Sequence, residues 1–429
     1  MIRIRTTRSN LEREVLRAPF GFKGAYLTEI WQTVARVECE SGRQGLGLCS
    51  QSVLWSDARV FAALSEAAGN SAMYLMLERG LQLAARTAFS TPLDLLDAIL
   101  PEVHAYGQAV TGRADLRPTF ALNALVALDN AAWQLYAAER GCATFDDMLP
   151  EAFRATLGAR HREVGCVPLM SYKVPVREVA SAVDEGSFLL KIKIGSDPGH
   201  DGDPDKMLAW DMARLSEIHA AVGNRETPFT DSGRLPYYLD ANGRYDTPDR
   251  LMRLLDHAAK IGALQQIVLL EEPFPEETDF DVRGIPVRLA ADESAHSETD
   301  VRRRIDQGYG AIALKPIAKT LSMSLRMARL AAQRGVPCFC ADLTVNPILV
   351  DWNKSVAARL APLPGLKIPV FETNGHQNYR DWARLQSYHP VQNAPWQKVE
   401  RGLFQLDDDF YARSGGVLLP SEHYMSLVR

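Results

Sequence analysis

The sequence predicts an α/β protein: a (β/α)8-type barrel with an α+β N-terminal capping domain that the C-terminal tail completes. Three observations carry this. From about residue 166, short apolar runs alternate with amphipathic helical stretches, and parallel strands need helical crossovers of this kind. Before that point a β-rich opening gives way to helical periodicity, and after about residue 385 the pattern breaks into short alternating pieces. A chain of 429 residues is long enough for two domains or an elaborated barrel. The expected boundaries are 1–165 for the capping domain, 166–384 for the barrel that carries the catalytic site, and 385–429 for a C-terminal segment packing back on the capping domain.

Each element follows from local pattern. Residues 35–40 alternate apolar and polar side chains and stop at the turn signal Ser41-Gly42-Arg43. Residues 18–24 read as a glycine-rich loop holding Phe20, Phe22 and Lys23. Residues 119–140 carry Leu122, Leu125, Leu128, Ala132 and Leu135 on one helical face, and Gly141 is the expected stop. Eight strands follow near 168–172, 188–194, 237–240, 267–271, 287–291, 311–314, 337–341 and 367–371. Helices such as 247–261 and 319–334 lie between them. Residues 195–204 and 225–236 are polar, turn-rich loops. The first follows a strand and overhangs the barrel mouth; the second precedes one and belongs to the opposite end. Ser414-Gly-Gly-Val reads as a turn into a last strand.

Composition excludes several classes. Apolar residues make up 46% and charged residues 24%, and the net charge is −5, so no basic surface points to nucleic acid. Six cysteines without CxxC spacing read as reduced, buried thiols. The polar N-terminus has no apolar run before a cleavage site, and no apolar segment reaches 18 residues, which predicts a cytoplasmic protein with no membrane partner.

The chemistry lies at the strand ends. Side chains two apart on a strand share a face, so Lys191 and Lys193 point together, and Ile192 and Ile194 point the other way. The isoleucines suit helix packing, which leaves both lysines inside the barrel. An unpaired buried ammonium is costly, so such a pair implies a partner or a function. Asp240 ends Tyr237-Tyr-Leu-Asp, Glu271 ends Ile267-Val-Leu-Leu-Glu, and Asp292 follows Val287-Arg-Leu-Ala-Ala. Carboxylates converging from consecutive strands repel unless a cation neutralises them. All-oxygen ligands point to Mg²⁺, with Mn²⁺ as the close alternative; the competing reading is a metal-free ion-pair network with Lys191 and Lys193. Lys315 ends the sixth strand, nearly opposite the second. Lys193 and Lys315 would therefore flank a metal-bound substrate, a geometry suited to removing a proton α to a carboxylate through a metal-stabilised enediolate. Crowding by the metal and Lys191 is expected to depress the lysine pKa values.

Together, Lys191-Ile-Lys193, Asp240-Ala-Asn242, Glu271-Glu-Pro273, Asp292-Glu-Ser294 and Lys315 resemble the enolase superfamily, in the muconate lactonizing enzyme subgroup. Residues 124–141 are similar to that family's cap-domain helix. The resemblance implies metal ligation by Asp240, Glu271 and Asp292 and acid/base roles for Lys193 and Lys315. It implies help from Lys191 with the substrate carboxylate, and supporting positions for Asn242, Glu293 and Glu272. A Lys or His base beside Mg²⁺ is that superfamily's own general pattern, so the assignment comes with the resemblance. A homo-oligomer is also implied.

Departures from the family shape the substrate. Mandelate racemase-like relatives carry a His on the seventh strand; Pro337-Cys-Phe-Cys-Ala has none, which leaves the lysine pair as acid and base. Dipeptide epimerases of the subgroup carry Asp-x-Asp at the eighth strand, where this chain has Glu372-Thr-Asn374 and then His376. With Asp342, Thr344 and Asn346 after the seventh strand, a small polar carboxylate is expected, a hydroxylated acid or amino-acid derivative. Candidate substrate contacts are Asp342, Glu372, Asn374 and His376. Phe20 and Lys23 join them on a loop resembling the family's mobile cap loop, and Cys49-Ser-Gln-Ser52 in the region of the second. The expected activity is that of a Mg-dependent racemase or epimerase, with a dehydratase or cycloisomerase using the same site as the alternative. Rivals from other classes are a Schiff-base aldolase on Lys315 and a non-catalytic scaffold. The three carboxylates argue against the first, and the filled acid/base and ligand positions against the second.

Overall fold

The computed structural model describes residues 1–22 and 25–429. Strands β1 (Ile4–Phe22), β2 (Ala25–Cys39) and β3 (Gln44–Gln51) pair antiparallel in that order. Residues 18–22, expected in a loop, instead continue β1: past a register shift after Val15, Phe20 pairs with Leu27 and Gly21 with Tyr26. Lys23 and Gly24 lie outside the described residues. Helix Pro118–Arg140 packs on β2 and β3 and is buried from Thr119 to Leu135. Pro118 suits its first turn, and Gly141 ends it in the left-handed region at φ 68°.

This helix lies unusually close to β3, because Gly45 and Gly47 present no side chain. A Cβ at Gly47 would sit 1.9 Å from the Ala127 carbonyl oxygen, and one at Gly45 2.0 Å from that of Ala131. Gly47→Ala is expected to push helix and sheet apart at a cost of ~1–3 kcal/mol, read as a lower urea midpoint. An unchanged midpoint would refute the packing argument.

The barrel is built from β4 (Glu163–Val167), β5 (Leu169–Met170), β6 (Leu190–Lys193), β7 (Tyr237–Asp240), β8 (Ile267–Glu271), β9 (Leu289–Ala291), β10 (Ala311–Leu314), β11 (Cys338–Cys340) and β12 (Val370–Glu372). β4 and β5 are halves of one strand interrupted at Pro168, which has no N–H for a ladder. β5 pairs with β6 and β4 with β12, all parallel, so this split strand closes the ring. The hairpin β13 (Val399–Glu400) and β14 (Leu403–Gln405) adds to β4 antiparallel.

Helices Val176–Asp184, Pro204–Val222, Pro248–Lys260, Glu298–Gln307, Leu321–Gln333 and Pro347–Ala357 fill crossovers. The expected strand–helix alternation breaks once: residues 272–288 run as turn and irregular backbone, punctuated by Pro273, Pro275 and Pro286. The tail departs from expectation too. Ser414-Gly-Gly makes a 3₁₀ turn, with φ 61° at Gly415 and 87° at Gly416, and leads into helix Glu422–Leu427 rather than a strand. That helix packs on β1 and β2, where Asn10 Nδ2 donates to the Leu427 carbonyl at 2.9 Å.

Strand parity then sorts the barrel. Leu189, Tyr238, Leu269, Ala290, Ala313, Phe339 and Val370 form their own apolar cluster inside the ring. Leu190, Ile192, Leu239, Leu270, Ile312, Cys340 and Phe371 join the larger core shared with the helices. Continuing the interior parity toward the strand ends delivers Lys191, Lys193, Asp240, Glu271, Asp292, Lys315 and Glu372. The barrel therefore has an apolar floor and a charged mouth.

Asp129 joins the N-terminal helices to the barrel. Its carboxylate accepts from Ser322 N at 3.1 Å and Ser322 Oγ at 2.5 Å, at the start of helix Leu321–Gln333, and Trp133 Nε1 donates to the same hydroxyl at 3.0 Å. Burial pushes this carboxyl up to about 6, against the donors that favour its ionised form. A carboxyl raised on folding stabilises most when protonated in the folded state, and that contribution is lost as pH rises through its folded pKa. The stability of the wild type relative to Asp129→Asn is therefore expected to fall by ~2–3 kcal/mol between pH 4 and 7. Urea titrations at both pH values measure it, and a flat difference would refute it. Among the described residues, no helix is long and apolar enough to cross a membrane.

Candidate functional site

A cavity opens at the charged mouth, among the strand-end lysines and carboxylates. The barrel contributes Lys191, Lys193, Asp240, Asn242, Glu271, Lys315, Asp342, Thr344, Glu372 and Asn374 to its wall, and Phe20, Leu27, Ser52 and Trp55 roof it from the N-terminal region.

The lysines and carboxylates interlock. Lys191 Nζ donates to Glu271 Oε2 at 3.0 Å and Glu372 Oε2 at 2.9 Å, and lies 2.9 Å from Asp240 Oδ2. Lys193 Nζ reaches Asp240 Oδ2 at 2.5 Å and also bonds Asn242 Oδ1. Lys315 Nζ holds Asp292 Oδ2 at 2.5 Å, beneath the Trp55 ring at 4.7 Å. Asn242 Nδ2 donates to Glu293 Oε1 at 3.0 Å. Glu272 Oε2 accepts from Asp292 N at 2.7 Å and from the Ser294 backbone and hydroxyl, which pins the segment carrying Asp292.

Asn242, Glu272, Thr320 and Thr344 have φ of 45°, 37°, 69° and 57°. Left-handed residues that are not glycine cost ~1–3 kcal/mol each and persist where the surroundings over-determine them. Here the hydrogen bonds around Asp240 and Asp292 hold the first three, and Asn374, Asn378 and Tyr379 hold Thr344.

Charge in the site is unbalanced. Asp240, Glu271, Glu272, Asp292, Glu293, Asp342 and Glu372 are buried, against buried Lys191, Lys193, Lys315 and Lys319. Seven carboxylates face these four ammoniums and the buried Arg304 guanidinium beside Glu272, which leaves two negative charges over when all are ionised, room for a divalent cation. The consequences fall on individual groups. Burial pushes Glu271 up to about 7, against the pull of Lys191, and Glu272 up to about 8 with Glu293 beside it. Burial also works on Asp240, but Lys191 and Lys193 outweigh it and hold the carboxyl at about 2. The lysines depart from expectation. Burial pushes Lys191 and Lys315 down, yet the carboxylates around them outweigh it and raise both.

The residues fit a hard divalent cation. Glu271 Oε1 is buried without a hydrogen-bond partner, and carboxylate oxygens of Glu271, Asp292 and Glu293 come within 4.8 Å of one another. Glu293, expected in a supporting position, therefore falls in one group with Glu271 and Asp292. Asp240 stands apart from this trio, drawn to Lys191 and Lys193.

Toward the seventh and eighth strands the wall is polar. Asp342 Oδ2 accepts from Asn374 N at 2.7 Å, and its Oδ1 is buried without a partner. Thr344 Oγ1 donates to Asn374 Oδ1 at 2.7 Å. Burial, with Glu372 alongside, pushes Asp342 up to about 7. His376 is absent from this wall among the described residues; its ring packs edge-on against Trp382 at 6.3 Å. Cys49 turns inward to the Asn123 carbonyl, and only Ser52 of its segment lines the cavity. Sequence reasoning missed Trp55 and Lys319. Trp55 lies three residues past Ser52, and Lys319 four past Lys315, so proximity to named residues was the only signal for either.

Residues 175–388 match the family described as Enolase C-terminal domain-like. No curated protein sequence matches the chain. Among solved structures, it is similar to a dipeptide epimerase from Enterococcus faecalis V583 complexed with Mg and L-Leu-L-Tyr, at 17% identity and TM-score 0.63 over 94% of this chain and 97% of that one. It is similar to the L-Ala-D/L-Glu epimerase from Bacillus subtilis, at 18% identity and TM-score 0.63 over 88% and 91%. A mandelate racemase/muconate lactonizing protein from Herpetosiphon aurantiacus gives 18% identity and TM-score 0.62 over 95% and 96%. At these identities the likeness establishes the fold.

Proposed function

We propose that this chain, a member of the enolase superfamily through its enolase C-terminal domain-like segment, is a Mg²⁺-dependent racemase or epimerase that removes and returns the proton α to a carboxylate. The observation that carries this is the placement of Lys193 and Lys315. They come from the second and sixth strands of an eight-stranded ring, on either side of the cavity that Glu271 also lines.

Glu271 and Asp292 would hold the metal with Asp240 as third ligand, and Glu293 is the alternative third. When bound, the metal supplies positive charge that offsets the negative charge developing on the substrate's carboxylate. A metal held by Asp292 would also withdraw carboxylate charge from Lys315 and bring its raised pKa down. Lys193 takes the α-proton from one face and Lys315 returns one to the other; for the opposite configuration the roles reverse. Lys191, fixed by three carboxylates, contributes a cation to the substrate's carboxylate.

The unpartnered Asp342 oxygen and the Thr344–Asn374 pair support a substrate that carries hydroxyl or amine donors beyond its α-carbon. The neighbours that act on dipeptides are compatible with this class, but Glu372 is already engaged by Lys191 here. The test is a library of acid sugars and amino-acid derivatives incubated in D₂O with Mg²⁺ and read by mass. Deuterium entering one carbon, with inversion there, is expected. A product that has lost water or opened a ring would replace this reading with β-elimination or cycloisomerisation. A library without exchange or turnover would reject it.

A further inference from the structure

We propose that Lys319 is a positioning residue of the metal site: it holds Asp292 in ligand orientation and thereby releases Lys315 for proton transfer. This rests on reading Asp292 as a metal ligand and Lys315 as acid/base.

The side chain of Lys319 is wholly buried and does not line the cavity. Its Nζ donates twice to one residue, to the Asp292 backbone carbonyl at 2.5 Å and to Asp292 Oδ1 at 3.1 Å. Lys315 occupies the other oxygen, Oδ2. One carboxylate thus carries two cations, one on each oxygen, and only one of the two cations reaches the substrate space.

The chain around Lys319 is held firmly. Thr320 takes φ 69° and caps the following helix through Met323 N at 3.1 Å. Ser322 is anchored to Asp129, and the Trp55 ring lies 5.8 Å from Lys319 Nζ. Were Lys315 the only cation on a fully buried Asp292, leaving it would strand an uncompensated charge, and Lys315 would stay locked. With Lys319 fixed to Oδ1 and to the carbonyl, Asp292 would stay compensated and aimed when Lys315 leaves Oδ2, and could then serve a cation. Neighbours that hold the far side of a ligand commonly set metal affinity.

The test is Mg²⁺ titration by calorimetry, without substrate, of wild type, Lys319→Met, Lys319→Arg and Asp292→Asn, each checked for folding by circular dichroism. Lys319→Met is expected to weaken Mg²⁺ binding ~10–100-fold, and Lys319→Arg to recover part of the loss. A folded Lys319→Met that binds Mg²⁺ as tightly as wild type, or more tightly, overturns the proposal. Undiminished binding by Asp292→Asn would instead overturn the reading of Asp292 as a ligand. Should Lys319→Met fail to fold, a Mg²⁺-soaked crystal of the wild type decides. Lys319 must remain bonded to Asp292 with Lys315 withdrawn, and the reverse arrangement refutes the role.

Discussion

Lys193→Ala and Lys315→Ala are each expected to abolish deuterium exchange for one configuration of the substrate and to preserve it for the other. The reason is positional. Lys193 ends the second barrel strand and bonds Asp240 and Asn242, whereas Lys315 follows the sixth and bonds Asp292. Their separate partners assign each to its own face. Loss of a positioned acid or base lowers the rate ~10²–10⁴-fold, and inversion needs both groups, so neither variant should interconvert the two configurations. Proton NMR of each separate configuration in D₂O makes the measurement. Exchange of both configurations surviving in both variants would sink the two-lysine mechanism. A single lysine controlling exchange of both would point to the elimination or cycloisomerisation reading.

Glu271→Gln is expected to leave the fold intact and remove the response to Mg²⁺. Glu271 is wholly buried, with one oxygen bonded to Lys191 and the other unpartnered. Burial already pushes it up to about 7 without metal. A carboxyl raised in this way contributes its stability at low pH and loses it as pH rises through its folded pKa. At pH 6 the wild-type group is largely protonated, so the neutral glutamine should melt close to wild type. At pH 8 the glutamine variant should be the more stable when metal is absent. Mg²⁺ at a hundred times its Kd should add ~2.7 kcal/mol to the wild type and nothing to the variant. Thermal melts with and without Mg²⁺ at both pH values check this. An equal Mg²⁺-induced rise in the variant would remove Glu271 from the ligand set.

The legible part of the site was the part written along single strands. Asp240 and Glu271 end strands whose bounds, Tyr237–Asp240 and Ile267–Glu271, follow from apolar runs alone. The parity of Lys191 and Lys193 follows from the isoleucines between them. What arrives by tertiary geometry was not legible. Lys319 reads as a cation near a helix start, and only the bend at Thr320 turns it onto Asp292. Trp55 carries no sequence signal of its own, and the turn of helix after β3 lays its ring over Lys315. Asp240 ends the strand beside that of Glu271, and its contacts with Lys191 and Lys193 come from tertiary geometry. His376 follows the eighth strand, yet Trp382 gives its ring an apolar neighbour away from the cavity. The last segment forms helix Glu422–Leu427 where a strand is expected, because six residues show too little periodicity to separate helix from strand.

The split first strand of the barrel also dictates an order of events during synthesis. β4 finds its parallel partner only at Val370–Glu372 and its antiparallel one at Leu403–Gln405. Until the ribosome has delivered those segments, Val164 and Cys166 belong to a strand whose hydrogen-bonding edges are open. Closing a loop of that length is entropically slow and leaves adhesive edges exposed meanwhile. The intermediate most prone to aggregate is therefore an open sheet running from β5 to β11. Chaperones that shield such edges until the late segments arrive should raise the soluble yield.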